Sequence, residues 1–386
     1  MKANVGYSTA ADAKSAGAQA AEMAKAGLDG VKLGFVYASV AYDLEALLAG
    51  VQEQLPGAAL VGNTSFTGVV VADGFISSDD GFVGVMALAD DGAAIGVAGL
   101  PKGATARATG QEVARQAMKN AGRDAAPDYF YMAASAGEEE FYLKGIADVI
   151  GRVPMFGGSA ADNTIAGEWS IYTNESIFPD GVAVAFFYTD KPMTNLFTGA
   201  YRETGDVGII TKVKGDRTLM EIDGIPALEK YAQWTGADAE SLAGGNLLVT
   251  TITSPLGVKD RLGDLVAIRH PMNGNDDGSM NIGANLAEKT AVIRMASSVD
   301  ELIASASDTL LALKASLPEP AAAYHLVHCG GRRAGIGDRI GEIVETVKAA
   351  ADGTPFIMEF TFGEYGFFED GSNSTGGLML SYTALS

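Results

Sequence analysis

The sequence predicts an α/β protein made of two homologous halves, which together contain four α-β-α-β-β-β units of about 98 residues each. Three observations favour this fold class. A polar turn that ends in glycine and leads into an apolar strand recurs four times. Three stretches contain an apolar strand, an amphipathic helix and a second apolar strand, which is the pattern of a right-handed βαβ crossover covered by helices. The hydrophobic content of 47% over 386 residues is sufficient for a large core.

The recurrent turns define the length of the units. They end in Gly81, Gly181, Gly278 and Gly376, so that neighbouring glycines lie 100, 97 and 98 residues apart. An Asp-Gly turn is common by itself, because glycine accepts a positive φ and aspartate hydrogen-bonds its own backbone. Four such turns at a nearly constant spacing indicate an internal repeat.

Three of the units are regular. Each begins with an alanine-rich or polar helix, followed by a strand, a helix with one apolar stripe and a second strand. Apolar side chains that recur every three or four residues lie on one face of a helix. The stripes are Leu44, Leu47, Leu48, Val51 and Leu55; Tyr142, Ile146, Val149 and Ile150; and Ile336, Ile340, Ile343, Val344 and Val347. The first helices are expected at 10–27, 110–122 and 299–317, the first strands at 31–38, 129–134 and 323–329, and the second strands at 58–62, 153–157 and 355–359.

The third unit, at about 203–298, is degenerate. Its first part, 207–222, alternates like a hairpin around a turn at 214–216, where the other units have a helix. The remaining elements are expected as a short helix at 226–234 and strands near 247–252, 265–270, 280–285 and 291–295. We place the joint between the halves after residue 202, which gives an N-terminal half of 1–202 and a C-terminal half of 203–386.

Charge and cysteine content exclude several classes of function. Lys and Arg number 27 and Asp and Glu 48, which gives a net charge of −21. This charge repels nucleic acid and anionic membranes, so neither is expected as a partner. Cys329 is the single cysteine, which excludes an intramolecular disulfide and a zinc site built on cysteine pairs. No apolar stretch approaches the roughly 20 residues that cross a bilayer, and we expect a cytoplasmic protein.

Several stretches, in this order along the chain, carry a resemblance to a known family. They are Gly6-Tyr7-Ser8-Thr9, Val36-Tyr37-Ala38-Ser39, Tyr42-Asp43-Leu44, Leu60-Val61-Gly62-Asn63-Thr64, Cys329-Gly330-Gly331-Arg332 and Phe362-Gly363-Glu364. The sequence resembles the FIST domain family, a pair of N-terminal and C-terminal modules found in bacterial sensory proteins, and looks like a stand-alone bacterial member. The family usually has cysteine where Asn63 stands, followed by a Gly-Glu pair that Ser65-Phe66-Thr67-Gly68 replaces here. A first-half site that depends on those residues would be altered.

The resemblance implies a sensor of small ligands, with amino acids or other small acids as the suspected class. Related domains are commonly fused to kinases, chemoreceptor modules or cyclic-dinucleotide enzymes. Because the repeats occupy the whole length, we expect the signal to pass to a separate protein such as a histidine kinase or a cyclic-dinucleotide enzyme. Some stand-alone members are described as haem-binding nitric oxide sensors, which is the alternative that the resemblance implies.

Cys329 and Arg332 follow the strand at 323–329, and ligands of α/β proteins usually lie beyond the carboxyl ends of strands. Arg332 could hold a carboxylate through two parallel hydrogen bonds. The alternative is that Cys329 is a small buried apolar residue and Arg332 is exposed. An enzyme that uses Cys329 as nucleophile is a further alternative, and it would require a lowered thiol pKa.

Glu359, Gly363, Glu364 and Tyr365 belong to the strand and loop after the last helix. Gly363 could allow close approach of a ligand to the backbone, and Glu364 could bind an ammonium group. Together with Arg332, Glu364 would form a clamp for an amino acid. The alternative is a β-bulge with a surface glutamate.

The histidines give no metal cluster. His325 and His328 lie on a strand, where successive side chains alternate between faces, so His328 points away from His325 and Cys329. His325 and Cys329 share a face but are about 13 Å apart, which is too far for a metal site or a catalytic pair. His270 remains as the candidate for a haem axial ligand, and a strand-end residue is the alternative. With no coherent catalytic set, the sequence favours a ligand-binding protein over an enzyme.

Overall fold

The computed structural model describes residues 1–259, 266–368 and 372–386. In this part of the chain, three mixed sheets of six strands and one antiparallel sheet of eight strands form a mixed α/β architecture in two halves, and the predicted fold class is confirmed. The predicted joint after residue 202 and the count of four units stay predictions.

The first regular unit contains two helices between its strands. Parallel pairing of its second and third strands, with a helix between them, is the predicted crossover. Its helices begin at the caps Asp12 and Asp43, whose carboxylates accept hydrogen bonds from backbone N–H groups of the first turn. The elements are β1 (Lys2–Ser8), α1 (Ala13–Lys25), β2 (Val31–Ala38), α2 (Leu44–Gln54), β3 (Ala59–Thr64), β4 (Val69–Val71), β5 (Gly74–Ile76) and β6 (Val83–Ala89).

The second regular unit repeats this order, and its second and third strands again pair in parallel. The elements are β7 (Ala94–Pro101), α3 (Ala106–Asn120), β8 (Tyr129–Ala134), α4 (Glu139–Ile150), β9 (Met155–Ser159), β10 (Ile171–Thr173), β11 (Ile177–Phe178) and β12 (Gly181–Tyr188). Helix α3 begins four residues before its predicted start because Thr105 caps it.

Glycines bring the two helices of each of these units close together. A Cβ on Gly17 of α1 would overlap the carbonyl oxygen of Leu47, and a Cβ on Gly50 of α2 would overlap that of Lys14. Gly110 and Gly145 have the same role between α3 and α4. The close approach therefore requires glycine on both helices of each pair.

The predicted degenerate unit forms a separate antiparallel sheet, which we call the inserted sheet, and it contains no parallel strand pair among its described residues. Strand β13 (Met193–Thr198) precedes it. Its elements are β14 (Arg202–Lys214), β15 (Thr218–Ile222), β16 (Ile225–Pro226), α5 (Ala227–Thr235), α6 (Ala239–Leu242), β17 (Leu256–Lys259), β18 (Val266–Arg269), β19 (Pro271–Gly274), β20 (Met280–Ile282) and β21 (Ala291–Ala296). The predicted hairpin around 214–216 is confirmed by the pairing of β14 with β15.

The last unit returns to the regular order. Its elements are α7 (Val299–Ser316), β22 (Ala323–Cys329), α8 (Gly330–Ile336), a 3₁₀ turn (Gly337–Arg339), α9 (Ile340–Ala351), β23 (Phe356–Thr361), β24 (Glu364–Phe367), β25 (Asn373–Gly376) and β26 (Leu380–Leu385). Strands β22 and β23 pair in parallel. The single helix predicted from the stripe at 336–347 is interrupted, since Gly337 adopts a φ of +57°.

Short hairpins link the three regular units in a cycle. Strand β10 of the second unit pairs with β3 of the first, β24 of the last unit pairs with β9 of the second, and β4 of the first pairs with β23 of the last. Side chains from all three sheets then meet in one buried core, which includes Phe35, Tyr131, Phe156 and Ile357. The two predicted halves therefore share sheets.

Two predictions of local structure are wrong. The stretch at 247–252 is a turn, because Thr251 donates hydrogen bonds from both its backbone nitrogen and its hydroxyl to the carbonyl of Leu247. The fourth predicted turn, at 373–376, is strand β25, which pairs with β24. The glycine-ended turn is thus less regular in the last unit than its spacing predicts.

Candidate functional site

A cavity of about 570 Å³ lies between the inserted sheet and the regular units, and we call it the interface cavity. Cys329 at the end of β22 and Glu139 at the start of α4 contribute to its wall. Arg217 and His270 reach it from the inserted sheet, and Trp169 lies on a loop of the second unit. The cavity therefore joins parts of the chain that are distant in sequence.

The thiol of Cys329 is held in place by two backbone groups. Its Sγ accepts hydrogen bonds from the N–H of Gly331 at 3.3 Å and of Leu378 at 3.2 Å. Leu378 adopts a φ of +57°, a strained conformation for a leucine. Cys329 is 4% exposed, and burial raises the pKa of its thiol well above the usual range. The side chain is therefore an uncharged thiol at neutral pH.

His270 lies opposite Cys329. The point at which a Cβ on Gly331 would stand is 3.4 Å from His270 Cε1 and 3.5 Å from Cys329 Sγ, so only glycine leaves the gap between them open. His270 Nε2 is 2.9 Å from the carbonyl oxygen of Leu248 and acts as donor, so Nδ1 is the acceptor nitrogen of the neutral ring. Burial lowers the pKa of His270 to about 4, so the ring is neutral at pH 7.

An ion-pair network forms the charged part of the wall. Arg217 Nη2 lies 2.5 Å from Glu139 Oε2 and 2.6 Å from Glu140 Oε2. Burial raises the pKa of Glu139, whereas at Glu140 the attraction of Arg217 and the N–H of Asn285 outweigh burial and lower the pKa. We call these three side chains the latch, because they connect the inserted sheet to α4.

Arg332, predicted to hold a carboxylate, is fully buried and does not line the cavity. Its Nη2 donates to the carbonyl of Leu302 at 2.9 Å and to the hydroxyl of Ser305, while Nε and Nη1 have no partner in the described residues. The alternative in which Arg332 is exposed is wrong, because α7 covers it.

Glu364, its predicted partner in the clamp, is also buried behind the cavity. Its carboxyl accepts hydrogen bonds from Thr361 and from the N–H of Met379, both at 2.9 Å, and burial raises its pKa to about 8. The alternative of a surface glutamate is therefore wrong. Gly363 and Tyr365 contact Ser159 of β9 through the carbonyl of Gly363, at 2.7 Å, and the phenol of Tyr365, at 2.6 Å. The ligand role of these residues stays a prediction.

Asn63 and Glu359 belong to a buried network at the centre of the three regular units. Asn63 Nδ2 donates to Glu359 Oε2 at 2.9 Å, and Asn63 Oδ1 accepts from Tyr131 at 2.9 Å. Tyr37 joins Tyr131 to His325. Burial raises the pKa of Glu359 to about 8 and lowers that of His325 to about 3, so both are uncharged at neutral pH. Neither Asn63 nor Glu359 lines the interface cavity.

The surroundings of His270 do not fit a haem axial ligand at Nε2. Haem iron is held by a protein ligand within an apolar pocket. Nε2 is already hydrogen-bonded to Leu248, and iron at this nitrogen would break that bond. Among the described residues, no three His, Cys, Asp or Glu side chains converge in a way that could hold a metal ion. Within the same residues, no helix is both long and apolar enough to span a membrane.

Sequence reasoning missed Glu139, Arg217, Trp169 and Phe362 as residues of the site. The acidic run Glu138-Glu139-Glu140 before an amphipathic helix was the one local signal for part of the latch. The approach of Arg217 to this run depends on how the inserted sheet packs, which no local pattern records.

Comparisons with known proteins agree on the family. The model of the FIST N domain matches residues 32–225, and the model of the FIST C domain matches residues 227–366. No curated protein matches the chain. Among solved structures, a cyanuric acid hydrolase from A. caulinodans shows 10% identity over 100% of this chain and 99% of its own, with a TM-score of 0.36. PurLQS from Thermotoga maritima shows 11% identity over 99% of this chain and 71% of its own, with a TM-score of 0.22.

Neither structural likeness carries an argument at these TM-scores. The family models together match most of the chain, with their boundary inside the inserted region, between residues 225 and 227. The chain belongs to the FIST family, whose domains are sensory domains in signal transduction.

Proposed function

We propose that this protein is a sensor that binds a small molecule in the interface cavity and passes the signal to a separate protein. The observation that carries the proposal is the composition of the cavity wall, to which the inserted sheet and the regular units both contribute. A ligand there contacts both parts at once. If it binds one arrangement of the two parts more tightly, it shifts the population towards that arrangement.

The latch is the element that such a shift would affect. Arg217 connects the inserted sheet to Glu139 and Glu140, and all three side chains are largely buried. Leaving one partner of a buried ion pair unpaired is costly. We propose that the network is closed in one arrangement of the two parts and open in the other. A ligand beside Arg217 and Glu139 would favour one of them.

A binding role rather than catalysis is supported by the state of Cys329 and His270. The nucleophilic form of a cysteine is the thiolate, and burial raises the pKa of this thiol. His270 is neutral and its low pKa makes it a weak base. We propose that both side chains recognise the ligand and do not react with it.

A ligand screen by thermal unfolding tests the proposal. The screen includes amino acids and other small acids, which the resemblance implies, together with neutral molecules of similar size. A ligand that binds only the folded state raises the melting temperature with its concentration. Hydrogen exchange at 137–140 and 214–218 should then slow on binding. A screen in which no compound raises the melting temperature would overturn the proposal.

The downstream partner is proposed to be a signalling enzyme such as a histidine kinase or a cyclic-dinucleotide enzyme. A kinase or cyclase from the same organism would be assayed with and without the protein, and with and without a compound from the screen. We expect its activity to depend on both. Activity that is independent of the compound would contradict this part of the proposal.

A further inference from the structure

We infer that the interface cavity takes a neutral, largely apolar molecule with an aromatic ring, and not an amino acid or a carboxylate. The inference rests on the proposed function, because it names the class of ligand for the same cavity. Three features carry it: the apolar wall, the partners that the charged residues already have within the protein, and the acceptor nitrogen of His270.

The apolar wall contains two aromatic rings. Trp169 and Phe362 line the cavity edge to face, with 6.0 Å between ring centroids and 84° between ring planes. Ile252 and Met272 add aliphatic and thioether surface. Aromatic rings prefer edge-to-face or offset contacts with one another, so a third ring would be accommodated well beside this pair.

Two further apolar side chains of the wall are exposed to water. Val249 is 69% exposed and Ile165 is 46% exposed. Covering such side chains removes apolar surface from water and so contributes to binding. Ile165 also has a φ of +60°, which is strained for a β-branched residue. A ligand with an apolar body would cover both side chains.

The charged residues of the wall are Arg217 and Glu139, and each already has hydrogen-bond partners within the protein. Arg217 donates to Glu139, Glu140, the side chain of Asn285 at 3.0 Å and the carbonyl of Gly283 at 3.2 Å. A ligand carboxylate would therefore be the third carboxylate around a single guanidinium.

A ligand ammonium group meets a comparable obstacle. The oxygens of Glu139 accept from Gly137 at 2.9 Å, Ser159 at 3.0 Å and Arg217. An ammonium would have to share these two oxygens with the three donors. Burying a charge without a free partner is expensive, so the wall disfavours charge of either sign.

The polar part of the wall suits a neutral ligand. His270 lines the cavity, and Nδ1 is the acceptor nitrogen of its neutral ring, because Nε2 donates to Leu248. A hydroxyl or ring N–H on the ligand would satisfy His270. The expected class is thus a neutral aromatic molecule with one hydrogen-bond donor.

A series with one ring system and different charge tests the inference. Indole is neutral, indole-3-acetate is anionic, tryptamine is cationic and tryptophan is zwitterionic at pH 7. Calorimetric titration should give binding of indole, with Kd values at least ten-fold higher for the three charged compounds. Tighter binding of any charged compound than of indole would overturn the inference and leave the proposed function standing.

Two tryptophan variants identify the site. Ala334 lines the cavity, so Ala334→Trp should fill it and abolish indole binding. Ala304 is exposed on α7 and away from the cavity, so Ala304→Trp should leave the affinity for indole within two-fold. Both variants are first shown to keep a cooperative unfolding transition. Equal indole affinity in the two would overturn the inference, and so would the failure of all four compounds to bind while other compounds of the screen do.

Discussion

Arg217 of the inserted sheet and Glu139 of α4 form an ion pair on the wall of the interface cavity, with 2.5 Å between Nη2 and Oε2. The guanidinium also reaches Glu140, so one cation serves two carboxylates. Arg217 and Glu139 both belong to the part of the chain that the FIST N model matches. Cys329 and Phe362, which also line the cavity, belong to the part that the FIST C model matches. The site is therefore composite.

Loss of the latch cation should destabilise the fold. Arg217→Met leaves two largely buried carboxylates unpaired, and we expect the free energy of unfolding in urea to fall by about 3 kcal/mol. Exchanging both carboxylates as well, in the triple variant R217M/E139Q/E140Q, should recover most of this loss.

The control for the latch is an exposed ion pair. Arg107 and Asp148 lie 2.7 Å apart on the surface, so Arg107→Met should cost much less than Arg217→Met. Similar losses in the two variants would show that burial of the latch adds nothing to its strength.

The two buried glutamates predict an unusual dependence of stability on pH. Burial raises the pKa of both Glu359 and Glu364 from 4.5 to about 8, so the folded state retains protons that the unfolded state releases between these values. Their contribution to stability is complete below pH 4.5 and is lost as the pH rises towards 8. His270 and His325 act in the opposite direction, because their lowered pKa values make stability rise with pH up to about 6.5.

Between pH 6.5 and 8, Glu359 and Glu364 therefore determine how the free energy of unfolding changes with pH. We expect the free energy of unfolding to fall across this range, by about 1.4 kcal/mol per pH unit for each glutamate. Glu359→Gln and Glu364→Gln should each remove one such contribution from the slope, as measured by urea titrations at several pH values. An unchanged slope in both variants would mean that the carboxyls are charged in the folded state.

The sequence predicts elements that depend on a local apolar pattern better than elements that depend on specific hydrogen bonds or on packing between distant parts of the chain. The bounds of β2, β8 and β22 were predicted correctly, because each is a continuous apolar run that is buried on both faces. The stretch at 247–252 is wrongly predicted as a strand. The hydrogen bond from the hydroxyl of Thr251 to the backbone of Leu247 stabilises a turn there, and the pattern of apolar residues does not reveal it.

The site was predicted in part. Cys329 and His270 were named as candidates, but their proximity across Gly331 depends on packing between the inserted sheet and the last unit. Arg332 was predicted to bind a ligand because it follows the end of a strand, and Glu364 because its carboxylate, in the strand and loop after the last helix, could bind an ammonium group. The structure instead buries both of them behind the cavity.

Arg332→Met separates a ligand role of Arg332 from a structural one. Its Nη2 donates to the carbonyl of Leu302 and the hydroxyl of Ser305, and its other two guanidinium nitrogens have no partner in the described residues. Replacing such a charge by an apolar side chain of similar length should leave the free energy of unfolding unchanged or raise it by about 1–2 kcal/mol. Indole affinity should not change, since the side chain is outside the cavity.

The neighbouring arginine is the matched control for this prediction. Arg333 lies 4.8 Å over the ring of Phe75, so Arg333→Met should lower stability by less than about 1 kcal/mol through loss of this cation–π contact. If Arg332→Met abolished ligand binding while the fold remained intact, the carboxylate clamp predicted from the sequence would be the better description of the site.

The alkylation rate of Cys329 reports on the protonation of its thiol and on the occupation of the cavity. Because burial raises its thiol pKa, alkylation of the folded protein by N-ethylmaleimide at pH 7 should be at least 100-fold slower than alkylation of an exposed thiol. The rate should rise with pH beyond 9 without reaching a plateau, since the thiolate fraction still increases there.

Indole should slow the alkylation of Cys329 further by occupying the space beside the sulfur. The exposed reference is Ala304→Cys on α7, in a background in which Cys329 is replaced by alanine. Alkylation of Cys329 at the rate of this reference would show that the thiol is accessible and that its pKa is not raised, and a faster rate would return the protein to the class of candidate cysteine enzymes.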